Sequence, residues 1–418
     1  MQNFSTKPTV DSAVEMFSKD TLGRNTEIAR FVNLLDAIDS SCTIALNGEW
    51  GSGKTFFVKQ TKLVLDCYNE HSDIGDEHRK KVQDRNIECT KNYATVYYDA
   101  WANDNAEDPV LSLVYNILKS NRNLITKLNK GEDFSSIVDI AASIIDVCGT
   151  NVSGLIKKLK EASQPHGSTG QDESVQEKVK KIIDSLTEQG NRLVIFIDEL
   201  DRCNPTYAIR LLERIKHYFD DERVIFVFSV NLEQLQHTVR GYYGAGLDAT
   251  GYLDKFFDLR ISLGHLDYDA YLRCRFQDRL SDTPFDITCI QSIKYFNLAI
   301  RQIERYMTLT QIVNHLQYSP CATLSDTNLR HDVMKYFAPV AIALSISDLE
   351  LFREFVSGKR LDILQSVLKM PNPFSSKIPN EMKIQEIYKQ VFKPDSRTSK
   401  ELKSIISLLH PNCDYSFQ

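Results

Sequence analysis

Ahead of residue 265, short unbroken apolar runs alternate with stretches in which apolar residues recur every three or four positions. Leu193–Ile197 and Val224–Val230 are of the first kind, rich in β-branched and aromatic residues, which predicts central parallel strands buried on both faces. Thr43–Leu46 and Ala94–Tyr98 read as further strands, and another is expected near Phe256–Ile261. Helical spacing marks Thr26–Asp39 through Ile28, Phe31, Leu34, Leu35 and Ile38, and it marks Phe56–Tyr68 and Asp108–Leu128, the latter with Pro109 in its first turn. It also marks Tyr207–Phe219, where Asn204 and Pro205 supply the start signal. Strand, helix, strand between Leu193 and Val230 implies a crossover unit.

Phe134–Leu159 is a further apolar run, of which Phe134–Val147 is read as a packed helix, and Glu161–Glu177, almost without apolar residues, is read as a mobile surface loop. Asn69–Asn92 is polar, and beyond residue 265 the pattern is helical, with no run of strand type. The expected class is therefore α/β: a core with a mainly parallel sheet flanked by helices, then a mainly helical C-terminal domain. The boundaries this implies are 1–264, with a helical insertion over 108–190, and 265–418.

Composition changes this picture little. With 42% hydrophobic and 25% charged residues the chain is ordinary globular material. A net charge of −6 removes the overall attraction of a nonspecific nucleic-acid binder, leaving room only for a local patch. Nine cysteines, an odd number without a Cys-x-x-Cys pair, argue against a disulfide framework or zinc knuckle and fit a reducing cytoplasm. Residues 1–20 lack the pattern of a secretion signal. Phe134–Val147, interrupted by Asp139 and Asp146, falls short of the roughly 20 apolar residues that span a bilayer, so no transmembrane segment is expected.

The chemistry concentrates at two places. Gly48-Glu49-Trp50-Gly51-Ser52-Gly53-Lys54-Thr55 matches the Walker A form and sits after a strand and ahead of a helix. Its glycines let backbone N–H groups converge on phosphates, the helix N-terminus adds positive potential, Lys54 reaches the terminal phosphates, and the Thr55 hydroxyl is placed to ligate Mg²⁺. The expected nucleotide contacts are Gly48, Trp50, Gly51, Ser52, Gly53, Lys54, Thr55 and Phe56. Leu193–Ile197 runs into Asp198 and Glu199, a Walker B pattern. Asp198 is the expected metal ligand, and Glu199 is placed to orient and deprotonate the attacking water. Asn231, after the next strand, is a candidate sensor of the γ-phosphate. Arg202 is read either as a finger acting on a neighbouring subunit or, more plainly, as the salt-bridge partner of Asp201 or Glu199. His71 and His78 form no recognisable ligand set.

The Walker A octet, Tyr98-Asp99-Ala100-Trp101-Ala102-Asn103-Asp104 with Asp108-Pro109, and Asp198-Glu199-Leu200-Asp201-Arg202-Cys203 together resemble the KAP family of P-loop NTPases. Tyr207–His217, Asn231–Leu235 and Gly251–Phe256 look like later family blocks in the same order, and the likeness covers Leu22 to Arg305. The resemblance implies a P-loop core with an added central strand and a catalytic glutamate, related to the AAA+ and STAND ATPases. Bacterial members resemble phage-exclusion and other defence components, and animal members are membrane scaffolds, so an ATP-driven switch or assembly platform is implied, here of a soluble bacterial type. Asn297–Arg305 resembles the lid-helix block with its phosphate-sensing arginine, which makes Arg301 a candidate. The Trp101 block has no derived chemistry: a buried aromatic beside two capping acids is its plain reading, and a nucleotide or partner contact is the alternative.

The function expected is ATP binding and hydrolysis, with Mg²⁺, by a regulatory NTPase that self-associates or engages a protein effector, in anti-phage defence. The alternatives are a nucleotide-bound scaffold without turnover and a nucleic-acid-stimulated motor.

Overall fold

In the computed structural model the described residues are 10–121 without 71, 86 and 107, then 175–187, 191–264, 267–276, 283–317, 332–371 and 381–391. They fall into two compact units, Thr6–Leu266 and Asp267–Gln418. The packed helix expected at Phe134–Val147 lies outside the described residues, as does the rest of the apolar run to Leu159. So does most of the loop expected at Glu161–Glu177, whose last three residues open a helix instead.

The first unit is built on five parallel strands: β1 (Cys42–Asn47), β2 (Tyr93–Asp99), β3 (Arg192–Asp198), β4 (Val224–Val230) and β5 (Leu259–Ser262), in the order β2-β3-β4-β1-β5. Every residue of β3 and β4 is buried, as unbroken apolar runs require once helices cover both faces. On one face lie α1 (Val10–Ser18), α2 (Asn25–Ala37), α3 (Lys54–Tyr68) and α4 (Asp76–Gln83), packed over Ile44, Leu46, Val194, Phe196, Ile225 and Val227. On the other lie α5 (Pro109–Ser120), α6 (Val175–Thr187), α7 (Pro205–Tyr218), α8 (Leu232–Tyr243) and α9 (Ala249–Asp254), packed over Ala45, Leu193, Ile195, Phe226 and Phe228. The face alternates with each residue, as strand geometry dictates.

The crossover from β3 through α7 to β4 is present, and Asn204 caps α7 by accepting from the Thr206 N–H at 3.0 Å. The last strand begins at Leu259, later than the run from Phe256 suggests, because Phe256 and Phe257 are core residues ahead of it. The polar stretch 69–92 holds a helix that periodicity does not reveal. In α4 only Val82 is buried, while Asp76 and Glu77 in its first turn and Lys80 and Lys81 near its end complement the helix dipole.

The second unit is helical among its described residues, as the pattern beyond 265 predicts. It comprises α10 (Tyr268–Phe276), α11 (Pro284–Tyr295), α12 (Ile300–Gln317), a π-helical turn at Val333–Phe337 leading into α13 (Ala338–Ser347), then α14 (Leu349–Val356), α15 (Leu361–Leu368) and α16 (Glu381–Val391). Its core gathers Phe337, Val340, Leu344, Phe352, Phe355, Leu364 and Tyr388. No helix among the described residues is long and apolar enough to cross a membrane.

Candidate functional site

The loop between β1 and α3 is shaped by its glycines. Gly51 and Gly53 have φ of 82° and 92°, values a side chain disfavours, and a Cβ on Gly48 would lie 2.8 Å from the Ser52 hydroxyl. Lys54, in the first turn of α3, is only 8% exposed, and its ammonium donates to the carbonyls of Gly48 at 2.5 Å and Glu49 at 3.0 Å. Burial pulls the Lys54 pKa below its ordinary value, against the charges of Asp201, Asp198 and Glu199. The loop lysine and the acids after β3 therefore lie within electrostatic reach of one another. Thr55 and Phe56 follow in the same turn, both half-buried.

Topology brings them together. β4 lies between β1 and β3, so the loop and the acids stand two strand spacings apart, about 10 Å, a gap of the size a phosphate with its attacking water needs. Asp198, 1% exposed, accepts from the Tyr97 hydroxyl at 2.9 Å and from the Glu199 N–H at 3.1 Å. Tyr97, on neighbouring β2, carries the Lys59 ammonium 4.6 Å above its ring. Burial and the adjacent Asp198 charge hold the Tyr97 phenol protonated well beyond its usual range. Thr55 and Asp198 supply hard oxygen donors of the kind Mg²⁺ takes when phosphates complete its shell.

Glu199 adopts φ 61° and ψ 23°, a left-handed conformation that costs a non-glycine residue about 1–3 kcal/mol. It opens a short 3₁₀ turn over Leu200–Arg202. Burial and then the charge of Asp198 raise its pKa, and Arg202 opposes them. Of the two partners open to Arg202 from the sequence, the structure pairs it with Glu199, Nε to Oε2 at 2.5 Å. Asp201 instead accepts from the Trp50 indole at 2.6 Å. The Arg202 guanidinium lies 5.7 Å from the ring centres of both Trp50 and Trp101.

Asn231 ends β4 and caps α8, its side-chain oxygen accepting from the N–H groups of Glu233 and Gln234 at 3.0 and 3.3 Å. Arg301 belongs to the second unit, exposed in the first turn of α12. His78 pairs with Asp11 at 3.0 Å, away from this chemistry.

Three residues here escape sequence reasoning. Tyr97 looks like any aromatic strand position. Ser229, fully buried in β4 and in register with Asp198, has a hydroxyl without a protein partner among the described residues, as does Ser52 in the loop. Such orphaned donors fit a site that takes a phosphate or its water. Arg24, 2% exposed at the head of α2, donates to Glu27 at 2.8 Å, to the Ser52 carbonyl at 3.1 Å and to the Gly264 carbonyl at 2.9 Å. Replacing Arg24 by alanine strands these acceptors and is expected to cost about 2–4 kcal/mol. A urea unfolding midpoint equal to that of the wild type would count against that expectation.

A glycine-shaped loop opening a helix, a strand ending in Asp-Glu, and one strand inserted between them are the marks of a P-loop NTPase. This chain belongs to the KAP family: the family model for the KAP family P-loop domain matches residues 24–316. No curated protein matches it. Among solved structures it is similar to two from Aeropyrum pernix, the ORC2 protein in ADPNP-ADP complexes and the ORC1 protein in complex with DNA. Each is 14% identical. The alignments cover 92% and 93% of this chain and 85% and 83% of those, with TM-scores of 0.37 and 0.36.

Proposed function

We propose that this protein binds ATP with Mg²⁺ and hydrolyses it, and that the nucleotide state acts as a switch for self-association or for a protein effector. The observation that carries the reading is that Lys54 lies within electrostatic reach of Asp198 and Glu199 across the β4 gap. A nucleotide holder needs the loop and Lys54, whereas a half-buried carboxylate beside Asp198 serves the proton transfer that turnover requires. In this reading 1–264 is the nucleotide domain and 265–418 a helical lid.

Gly48, Trp50, Gly51, Ser52, Gly53, Lys54, Thr55 and Phe56 hold the nucleotide, and Thr55 and Asp198 hold the metal, which when bound neutralises phosphate charge. Glu199 takes the proton of the attacking water. The Asn231 amide group, on the far side of its capping oxygen, senses the terminal phosphate, and Arg301 does the same from the lid. An anti-phage role in a bacterial cytoplasm rests on family resemblance alone.

Phosphate release and limited proteolysis, each with and without Mg·ATP, test the proposal. A switch gives turnover and two cleavage patterns. Nucleotide retained without turnover and with a single pattern would establish the scaffold instead, and turnover that rises steeply on adding DNA at low salt would establish the motor.

A further inference from the structure

Trp50 and Trp101 are the chain's two tryptophans, and both are largely exposed, at 48% and 54%. Indole rings of this size are ordinarily buried for their apolar area, so two exposed ones on a single guanidinium call for a physical reason. The geometry around Arg202 supplies one. Glu199 and Arg202 stand three apart across a 3₁₀ turn, where side chains eclipse, and the Arg202 N–H donates to the Glu199 carbonyl at 3.1 Å. An arginine at that spot has several rotamers open to water. The two ring faces restrict it, one from the phosphate loop and one from the β2–α5 connection.

Both rings are themselves anchored. The Trp50 indole N–H is bound by Asp201, the residue before Arg202. Trp101 opens a 3₁₀ turn, Trp101–Asn103, fixed by Asp99: its carboxylate accepts from the Ala102 N–H at 2.9 Å and its carbonyl from the Asn103 amide at 2.7 Å. Asp104 then ties this connection to the chain just past Arg202, accepting from the Asn204 N–H at 3.2 Å. The acids of this sequence block thus cap and tether, as their plain reading holds, but the aromatic between them lies at the surface instead of in the core.

We infer that Trp101 and Trp50 are positioning residues: they clamp Arg202 between two aromatic faces so that its Nε fixes the Glu199 carboxylate in place for water activation. The inference rests on the reading of Glu199 given under Proposed function. It also makes the β2–α5 connection part of the hydrolytic apparatus, acting through Arg202.

Steady-state phosphate release under Mg·ATP tests it with Trp101→Leu, which keeps apolar bulk without a π-face, and Trp101→Tyr, which keeps the face. One ring's worth of cation attraction corresponds to about a two- to fivefold change. Trp101→Leu is expected to lower kcat by that factor with KM unchanged, Trp101→Tyr to recover at least half of the loss, and neither to alter the residual rate in a Glu199→Gln background. Equal losses in Leu and Tyr, a change confined to KM, or an undiminished effect in the Glu199→Gln background each overturn the inference. A second arm needs no turnover. Arg202→Gln, placed in Trp50→Phe and in Trp101→Phe, is expected to change the emission and acrylamide quenching of the single remaining tryptophan in both. Unchanged emission in both backgrounds overturns the clamp. A wild type that releases no phosphate overturns the hydrolytic reading and the inferred role in catalysis with it, while the emission arm still reports whether the clamp exists.

Discussion

Glu199→Gln is expected to retain ATP while phosphate release falls by about 10²–10⁴-fold, the usual yield of a positioned general base. Glutamine keeps the length of the side chain and its capacity to accept from Arg202, so the 3₁₀ turn and the left-handed backbone at Glu199 are preserved. What it loses is basicity. The raised pKa of Glu199, caused first by burial and then by Asp198, brings the carboxylate closer to the range where proton abstraction is efficient at neutral pH. Equilibrium binding of ATP beside single-turnover hydrolysis separates the two effects. A variant within tenfold of the wild-type rate would remove Glu199 from the chemistry, and one that no longer binds would show its role to be structural.

Lys54→Ala is expected to weaken ATP binding by about 10- to 150-fold, since a charge-assisted hydrogen bond is worth about 1.5–3 kcal/mol. The surroundings of Lys54 add to this. Its ammonium offsets Asp201, Asp198 and Glu199 in a largely buried site, and without it these carboxylates face a polyanion directly. Ligand at about 100 times its dissociation constant should stabilise the wild type by about 2.7 kcal/mol. Differential scanning fluorimetry with Mg·ATP at that concentration is expected to show the full shift for the wild type and half of it or less for the variant. Equal shifts would mean that the triphosphate binds elsewhere.

The sequence reveals those parts of this molecule whose signals are local. Unbroken apolar runs required strands covered on both faces, and the octet around Lys54 announced itself because every residue it needs is contiguous. The insertion of β4 between β1 and β3 was implied by family resemblance, and the register now shows it. Signals that depend on partners distant in the chain were not legible. Arg24 is one polar residue at the head of an amphipathic helix, and nothing nearby tells that its acceptors lie 28 and 240 positions away. Ser229 interrupts an otherwise apolar strand, a signal that could have been weighed, but its alignment with Asp198 exists only in the sheet. The acids near Trp101 read correctly as caps because capping is local, whereas the exposure of its ring and its contact with Arg202 arise only in three dimensions. In α4, one buried valine among charged residues gives no period to detect.

The guanidinium of Arg24 joins two segments of the first unit that are far apart in sequence. A single nitrogen of that group holds both the Ser52 carbonyl and the Gly264 carbonyl. Its two hydrogens diverge at a fixed angle, so the two acceptors cannot drift independently. Gly264 lies just ahead of the boundary at which the first unit ends. The glycine loop and the peptide that leads out of the sheet are thus tied to one another through one atom.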